Sequence, residues 1–297
     1  MNFSFYLLFN VMSINDLCHD LILLLAKDMY WDRHVLSFLS TKKEFHLLKN
    51  KTVFHDYTSY KLGMENLFYF QKLHLYFKIT ENTTLRLIPE GIKNVHVKST
   101  TIPLKHFEFP KSIKIFRFCG GYIDPIQVGD IPNTVIDLNL PEKYTFPLVK
   151  GVIPNSTKTL VFGERYNHPL SEGVIPNSVE LLIFGSRFRQ VLKKGDLPSS
   201  LNHLEIGNSY NEKLEPGVIP NSVTDLYLGE RYNHPFEKGT LPENLSLLVL
   251  GGDYDYPLNE EYIPKSTKEI VLHKSYAHPI PPSLVPIVLF CSSLFDI

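Results

Sequence analysis

Apolar positions along this chain recur with a fixed period. Prolines fall at 110, 132, 154, 176, 198, 220, 242 and 264, and every interval between them is 22 residues. With each proline numbered zero, position six holds Phe116, Leu138, Leu160, Leu182, Leu204, Leu226, Leu248 and Ile270, and position eight holds Phe118, Leu140, Phe162, Phe184, Ile206, Leu228, Leu250 and Leu272. Position twelve is aromatic throughout: Tyr122, Tyr144, Tyr166, Phe188, Tyr210, Tyr232, Tyr254 and Tyr276. Position sixteen, the residue before each proline, and most of position three are apolar in the same phase.

Positions six and eight alternate with five and seven. That is period two, the signature of a short strand with one buried face. Proline at zero cannot sit inside such a strand and gives it an extended lead-in. Glycine at nine (Gly163, Gly185, Gly207, Gly229, Gly251) and at nineteen (Gly129, Gly151, Gly173, Gly195, Gly217, Gly239) is expected to release the chain into corners. Proline at fifteen, as in Pro169 and Pro235, prevents a long return helix. Each unit therefore reads as one coil of strand, corner, irregular return and corner. No coil can close a core by itself, so the units must stack like on like.

Upstream the period weakens. Leu73 with Leu75 and Val95 with Val97 continue the strand positions, with one residue missing between Val95 and Phe116. Counting strand pairs from Leu73 to Ile270 predicts ten rungs, a parallel sheet roughly 45 Å long. Residues 61–108 thus read as divergent first repeats or an N-terminal cap, 109–280 as the regular array, and 281–297 as a C-terminal cap. Residues 13–60 differ in kind. Leu17, Leu21, Leu24 and Leu25, then Val35, Leu36 and Leu39, have the spacing of two short amphipathic helices. They are either a docking module or a simple cap on the first rung. Residues 1–12 form an apolar lead-in without a basic start, which does not fit a signal peptide, and Met1 and Met12 are both candidate starts.

Composition narrows the function classes. The formal net charge is -1, so no global bias points to nucleic acid or a membrane surface. No stretch reaches the ~20 apolar residues of a membrane-spanning helix. Cys18, Cys119 and Cys291 are far apart and odd in number, which suits a reducing compartment and offers no metal or disulfide spacing. His168, His234 and His278 share position fourteen, but 168 and 234 lie three coils apart, about 14 Å, too far to share one ion. They read as polar corner residues. The pairs Glu164-Arg165 and Glu230-Arg231 recur at a turn and read as surface charge. No phosphate loop or catalytic set is suggested, so neither a cofactor, a metal nor enzymatic activity is expected. The aromatic column reads as core packing, since no basic stripe accompanies it.

The varying columns are the informative ones. Positions five and seven face outward from the sheet, and there Leu181, Ile183, Leu247 and Val249, together with Tyr227, are apolar or aromatic. Such a face is either a partner surface or a seam covered by another domain. The shortage of leftover chain favours the partner surface.

The units IPNSTKTLVFGERYNHPLSEG (153–173) and IPNSVTDLYLGERYNHPFEKG (219–239) resemble the FNIP repeat, with proline, aromatic, proline and glycine all in register. That family has 22-residue, leucine-rich-repeat-like units and occurs in social amoebae and giant DNA viruses. In viral members an F-box often precedes the repeats, and residues 13–48 resemble a divergent one. Leu17 fits its start, though Cys18 stands where proline is usual. The resemblance implies contact with a Skp1-like adaptor of a cullin-type ubiquitin ligase through Leu17, Ile22, Leu36 and Leu39, with the repeats carrying a protein substrate. It further implies a cytoplasmic location, the host cytoplasm if the source is viral. The expected architecture is mainly β: a parallel solenoid behind a small α-helical F-box-like module.

Overall fold

The computed structural model describes residues 76–79, 88, 91–98, 103–119 and 122–292. The expected lead-in and F-box-like module, with Leu17, Ile22, Leu36 and Leu39, lie outside the described residues.

Among the described residues, eleven strands form one parallel sheet in strict chain order. They are β1 (Tyr76–Ile79), β2 (Asn94–Val97), β3 (Ile115–Phe118), β4 (Asp137–Asn139), β5 (Thr159–Val161), β6 (Leu181–Ile183), β7 (His203–Ile206), β8 (Asp225–Leu228), β9 (Leu247–Val249), β10 (Glu269–His273) and β11 (Val288–Cys291). From β3 to β10 the register follows the sequence period, so Phe116, Leu138, Leu160, Leu182, Leu204, Leu226, Leu248 and Ile270 lie side by side. Phe116 also pairs with Val95, which confirms the one-residue deletion before β3. Among the described residues the only helical segments are 3-10 turns at Leu104–His106 and Val285–Ile287.

Both ends depart from the expected rungs. The first described strand is not built on Leu73 and Leu75, for Phe77 pairs with Val95 and Ile79 with Val97. At the other end the tail adds an eleventh rung, with Ile270 beside Val288 and Leu272 beside Phe290. The spacing there is 18 residues, because the proline turn that opens every regular coil, here Leu284 N–H to the Pro281 carbonyl, follows directly on Ile280 and the return is shortened. Period counting with a fixed 22 cannot see a coil of different length.

The columns predicted to point inward form a single continuous core. The aromatic column stacks along it. Phe188 and Tyr210 lie 6.1 Å apart and nearly parallel, at 4°, and Tyr210–Tyr232 (6.3 Å) and Tyr232–Tyr254 (6.4 Å) continue the stack. The Tyr144 hydroxyl accepts from the Ile126 backbone N–H (3.1 Å) and the Tyr276 hydroxyl from that of Leu258 (3.0 Å), each at position sixteen of the preceding coil. In Tyr166, Tyr210 and Tyr232 the equivalent N–H groups of Leu148, Leu192 and Leu214 are close enough to lower the phenol pKa somewhat but miss hydrogen-bond geometry, so these hydroxyls stay buried without a partner.

Burial dominates the ionisation of the column. It pushes Tyr166 up to about 12, and it raises Tyr122, Tyr144, Tyr210, Tyr232, Tyr254 and Tyr276 in the same direction. In the unfolded chain these phenols titrate near the ordinary value of about 10. The folded state is therefore unaffected by these groups below about pH 10, and it loses stability as pH rises from there through the raised folded values, because the unfolded chain gives up protons first. Melting temperatures are expected to be flat between about pH 8 and 9.5 and to fall above about pH 10.5. Phenolate absorbance that develops fully while the far-ultraviolet β signal is intact would contradict a buried column.

The two glycine columns have different jobs. At position nineteen every glycine lies in the left-handed region, with φ from +76° at Gly217 to +97° at Gly195, as a corner requires. At position nine none of the glycines has positive φ. They are needed instead because the backbone of the preceding coil lies against them: a Cβ on Gly207 would stand 2.0 Å from the Gly185 carbonyl oxygen. Position nine does open a turn, as expected, but glycine is required there by the close approach of the neighbouring coil and not by its torsion. Its carbonyls close tight turns, as where Tyr210 N–H donates to Gly207 (3.0 Å).

Polar ladders hold the outer edges of the stack. Ser156, Ser200, Ser222 and Ser266 each donate from Oγ to the carbonyl of position three one coil back, at 2.6–2.7 Å. Asn167, Asn211 and Asn233 each accept at Oδ1 from a backbone N–H one coil ahead, at 2.9 Å. These bonds satisfy backbone groups that an irregular return segment would otherwise leave unpaired.

Candidate interaction surface

Since positions six and eight fill the core, five and seven form the outer face of the sheet. Its chemistry changes along the stack. On β3 and β4, Arg117 and Asp137 form a solvent-exposed ion pair at 3.4 Å, a contact of small energetic weight. On β5 and β6 the face is aliphatic, with Val161, Leu181 and Ile183 half-buried. On β7 and β8 it turns acidic and aromatic. The rings of His203 and Tyr227 lie 5.0 Å apart. Burial first, then the carboxylates of Asp225, Glu205 and Glu269, raise the Tyr227 hydroxyl above the ordinary tyrosine range.

Of the five residues expected to present this face, Leu181, Ile183, Tyr227 and Leu247 are half-buried and reach the surface. Val249 does not, for it has 0 % exposure. Its neighbours in register on the same face are Tyr227 and Val271, and between a ring and a branched side chain its access to solvent closes. Val249 is therefore support for Tyr227 and not a contact residue. Leu181 on β6 and Leu247 on β9 are three rungs apart on the same face, with β7 and β8 between.

A groove of about 620 Å³ runs along the C-terminal ends of β4–β6. At position seven it is lined by Asn139, Val161 and Ile183, and at position eleven of the same coils by the exposed Lys143, Arg165 and Arg187, with Glu142 and Glu164 at position ten. The backbone of Gly163 and Gly185 lies between. Read singly, Arg165 was only surface charge; its alignment with Lys143 and Arg187 beside an aliphatic strip emerges when the coils are superposed.

The histidines at position fourteen serve the corner. His168 Nε2 meets the Thr145 carbonyl at 2.6 Å, His234 the Asn211 carbonyl at 2.9 Å and His278 the Asp255 carboxylate at 2.8 Å. Each ring also packs steeply inclined against the column tyrosine two residues before it, at 59–63° between planes. Among the described residues no three His, Cys, Asp or Glu side chains gather as metal ligands would, and no helix is long and apolar enough to cross a membrane.

Comparison with known proteins agrees with the repeat architecture. Residues 146–187, 188–231 and 232–275 match the family model described as FNIP Repeat, so each match spans about two 22-residue coils. Among solved structures, one described as "The crystal structure of CroV588 a novel circular LRR protein structure" superposes with a TM-score of 0.61 at 24 % identity, over 73 % of this chain and 35 % of that one. That likeness establishes a shared fold, and this chain spans about a third of that structure's length. No curated protein matches.

Proposed function

We propose that this FNIP-repeat solenoid is a non-catalytic protein-interaction scaffold that carries a protein substrate on its outer sheet face, as the recognition subunit of a cullin-type ubiquitin ligase in the cytoplasm, or in the host cytoplasm if its source is viral. The observation that carries the scaffold part is the face itself. Leu181, Ile183, Tyr227 and Leu247 are half-buried on a regular sheet surface that no described element covers. A rigid, laterally extended face with apolar anchors and changing charge is suited to reading another protein.

The ligase part rests on the F-box resemblance of residues 13–48, which would place Leu17, Ile22, Leu36 and Leu39 against a Skp1-like adaptor. The second reading is a general protein-binding solenoid whose N-terminal helices only cap the first rung.

Proximity labelling in the native cell separates them. The full chain is expected to label a Skp1-like protein together with substrate proteins. Leu17→Asp/Leu36→Asp is expected to remove the adaptor and keep the substrates, whereas Leu181→Asp/Leu247→Asp is expected to reduce substrate labelling at least tenfold and keep the adaptor, since anchor residues typically carry more than about 1.4 kcal/mol each. Absence of adaptor labelling from the full chain favours the plain solenoid. Substrate labelling untouched by Leu181→Asp/Leu247→Asp overturns the face as the binding surface.

A further inference from the structure

We propose that the groove across β4–β6 docks an extended segment of the partner protein in which an aliphatic side chain neighbours a carboxylate. The inference rests on the scaffold reading and states what one end of the face recognises.

The two walls of the groove demand two chemistries at once. Val161 and Ile183 offer aliphatic surface. Opposite them, Lys143, Arg165 and Arg187 stand exposed at successive coils, and among the described residues none of the three is in an ion pair. The carboxylates on the same rim do not cancel them: three cations face Glu142 and Glu164, leaving one positive charge. Glu164 is already engaged, accepting from the Ser186 hydroxyl at 2.7 Å. A bare anion would leave the aliphatic wall uncovered, and a wholly apolar segment would strip water from three cations without replacing it. A segment with both groups satisfies both walls, and guanidinium groups suit planar carboxylates.

The register also sets the length. On β7, Glu205 stands beside Ile183 and ends the aliphatic wall, while position eleven becomes Ser209 and ends the cationic one. The cationic row therefore spans two strand spacings or about 9.6 Å, the reach of about three extended residues, and the aliphatic strip occupies β5 and β6, with Asn139 on β4 beside Val161. Past that point a second carboxylate would meet Glu205 and be repelled. Recognition is thus confined to a short motif with the acidic residue within about three positions of the aliphatic one.

The test is selection from a displayed library of randomised peptides, about nine residues long, on the immobilised full chain and on Arg165→Glu/Arg187→Glu. Both arginines are exposed, and a matching far-ultraviolet spectrum and melting temperature show that the variant folds. The full chain is expected to enrich Asp or Glu close to Ile, Leu or Val. The variant is expected to bind those peptides at least tenfold more weakly and to select Lys or Arg in place of the acid. No enrichment on the full chain, or an unchanged acidic motif on the variant, overturns the proposal. Peptides lost with Leu247→Asp but indifferent to the arginine reversal overturn the groove while leaving the scaffold reading standing.

Discussion

Gly207→Ala is expected to destabilise the solenoid by about 2–3 kcal/mol or more, the range for forcing atoms into a packed interior. The new Cβ would lie 2.0 Å from the carbonyl oxygen of Gly185 and 2.6 Å from its carbonyl carbon. Neither atom is free to retreat, because that carbonyl accepts from Phe188 N–H (3.1 Å) and belongs to the turn that positions the Phe188 ring. The instructive control is Gly217→Ala. Gly217 has φ +76° with nothing within 4 Å of its would-be Cβ, so the substitution costs only the left-handed penalty of about 1 kcal/mol. Urea titration of both variants separates the effects. A Gly207→Ala cost no larger than that of Gly217→Ala would mean that successive coils do not approach at position nine as described.

Tyr210→Ala is expected to cost about 3–5 kcal/mol, as for a buried ring truncated in a core. Tyr210 has no exposed surface and is stacked between Phe188 and Tyr232. Removing it opens a void in the middle of the column, and each coil depends on its neighbours for burial. The same position separates ring from hydroxyl. The Tyr210 hydroxyl is buried without a hydrogen bond, so Tyr210→Phe is expected to be neutral within about 0.5 kcal/mol or slightly stabilising. At Tyr144 the hydroxyl accepts from Ile126 N–H, and Tyr144→Phe is expected to cost about 1 kcal/mol by orphaning that donor. Thermal or urea unfolding of the three variants checks the order. Tyr210→Phe as damaging as Tyr210→Ala would show that the hydroxyl, and not the stacked ring, holds the column.

The regular coils were readable from residues because every one repeats the same environment. An inward leucine such as Leu204 and an aromatic such as Tyr210 follow directly from column position. What position could not supply was anything set by neighbours in space. Val249 occupies the same column as Ile183, yet it is closed over because Tyr227 and Val271 flank it, whereas Ile183 has Val161 and Glu205 beside it. Glycine at position nine looked interchangeable with glycine at nineteen, since sequence shows the missing side chain but not whether a torsion or a neighbouring backbone demands it. The terminal rungs at Phe77 and Val288 were missed because a coil of 18 residues is out of phase with the rest. The groove-lining cations are separated by 22 residues each, and only stacking sets Lys143, Arg165 and Arg187 in a row.

The stacking of coils in a line underlies the outer face, the groove and both glycine roles. Distances between spin labels on that face measure it directly. With Cys18, Cys119 and Cys291 replaced by serine, labels at position five of β4 and β8 (Asp137→Cys, Asp225→Cys) and of β4 and β10 (Asp137→Cys, Glu269→Cys) are four and six strand spacings apart. The expected separations are about 19 Å and about 29 Å, rising by about 4.8 Å for each coil between the labels. Separations that do not grow with the number of intervening coils would contradict the linear stack and the recognition surface built on it.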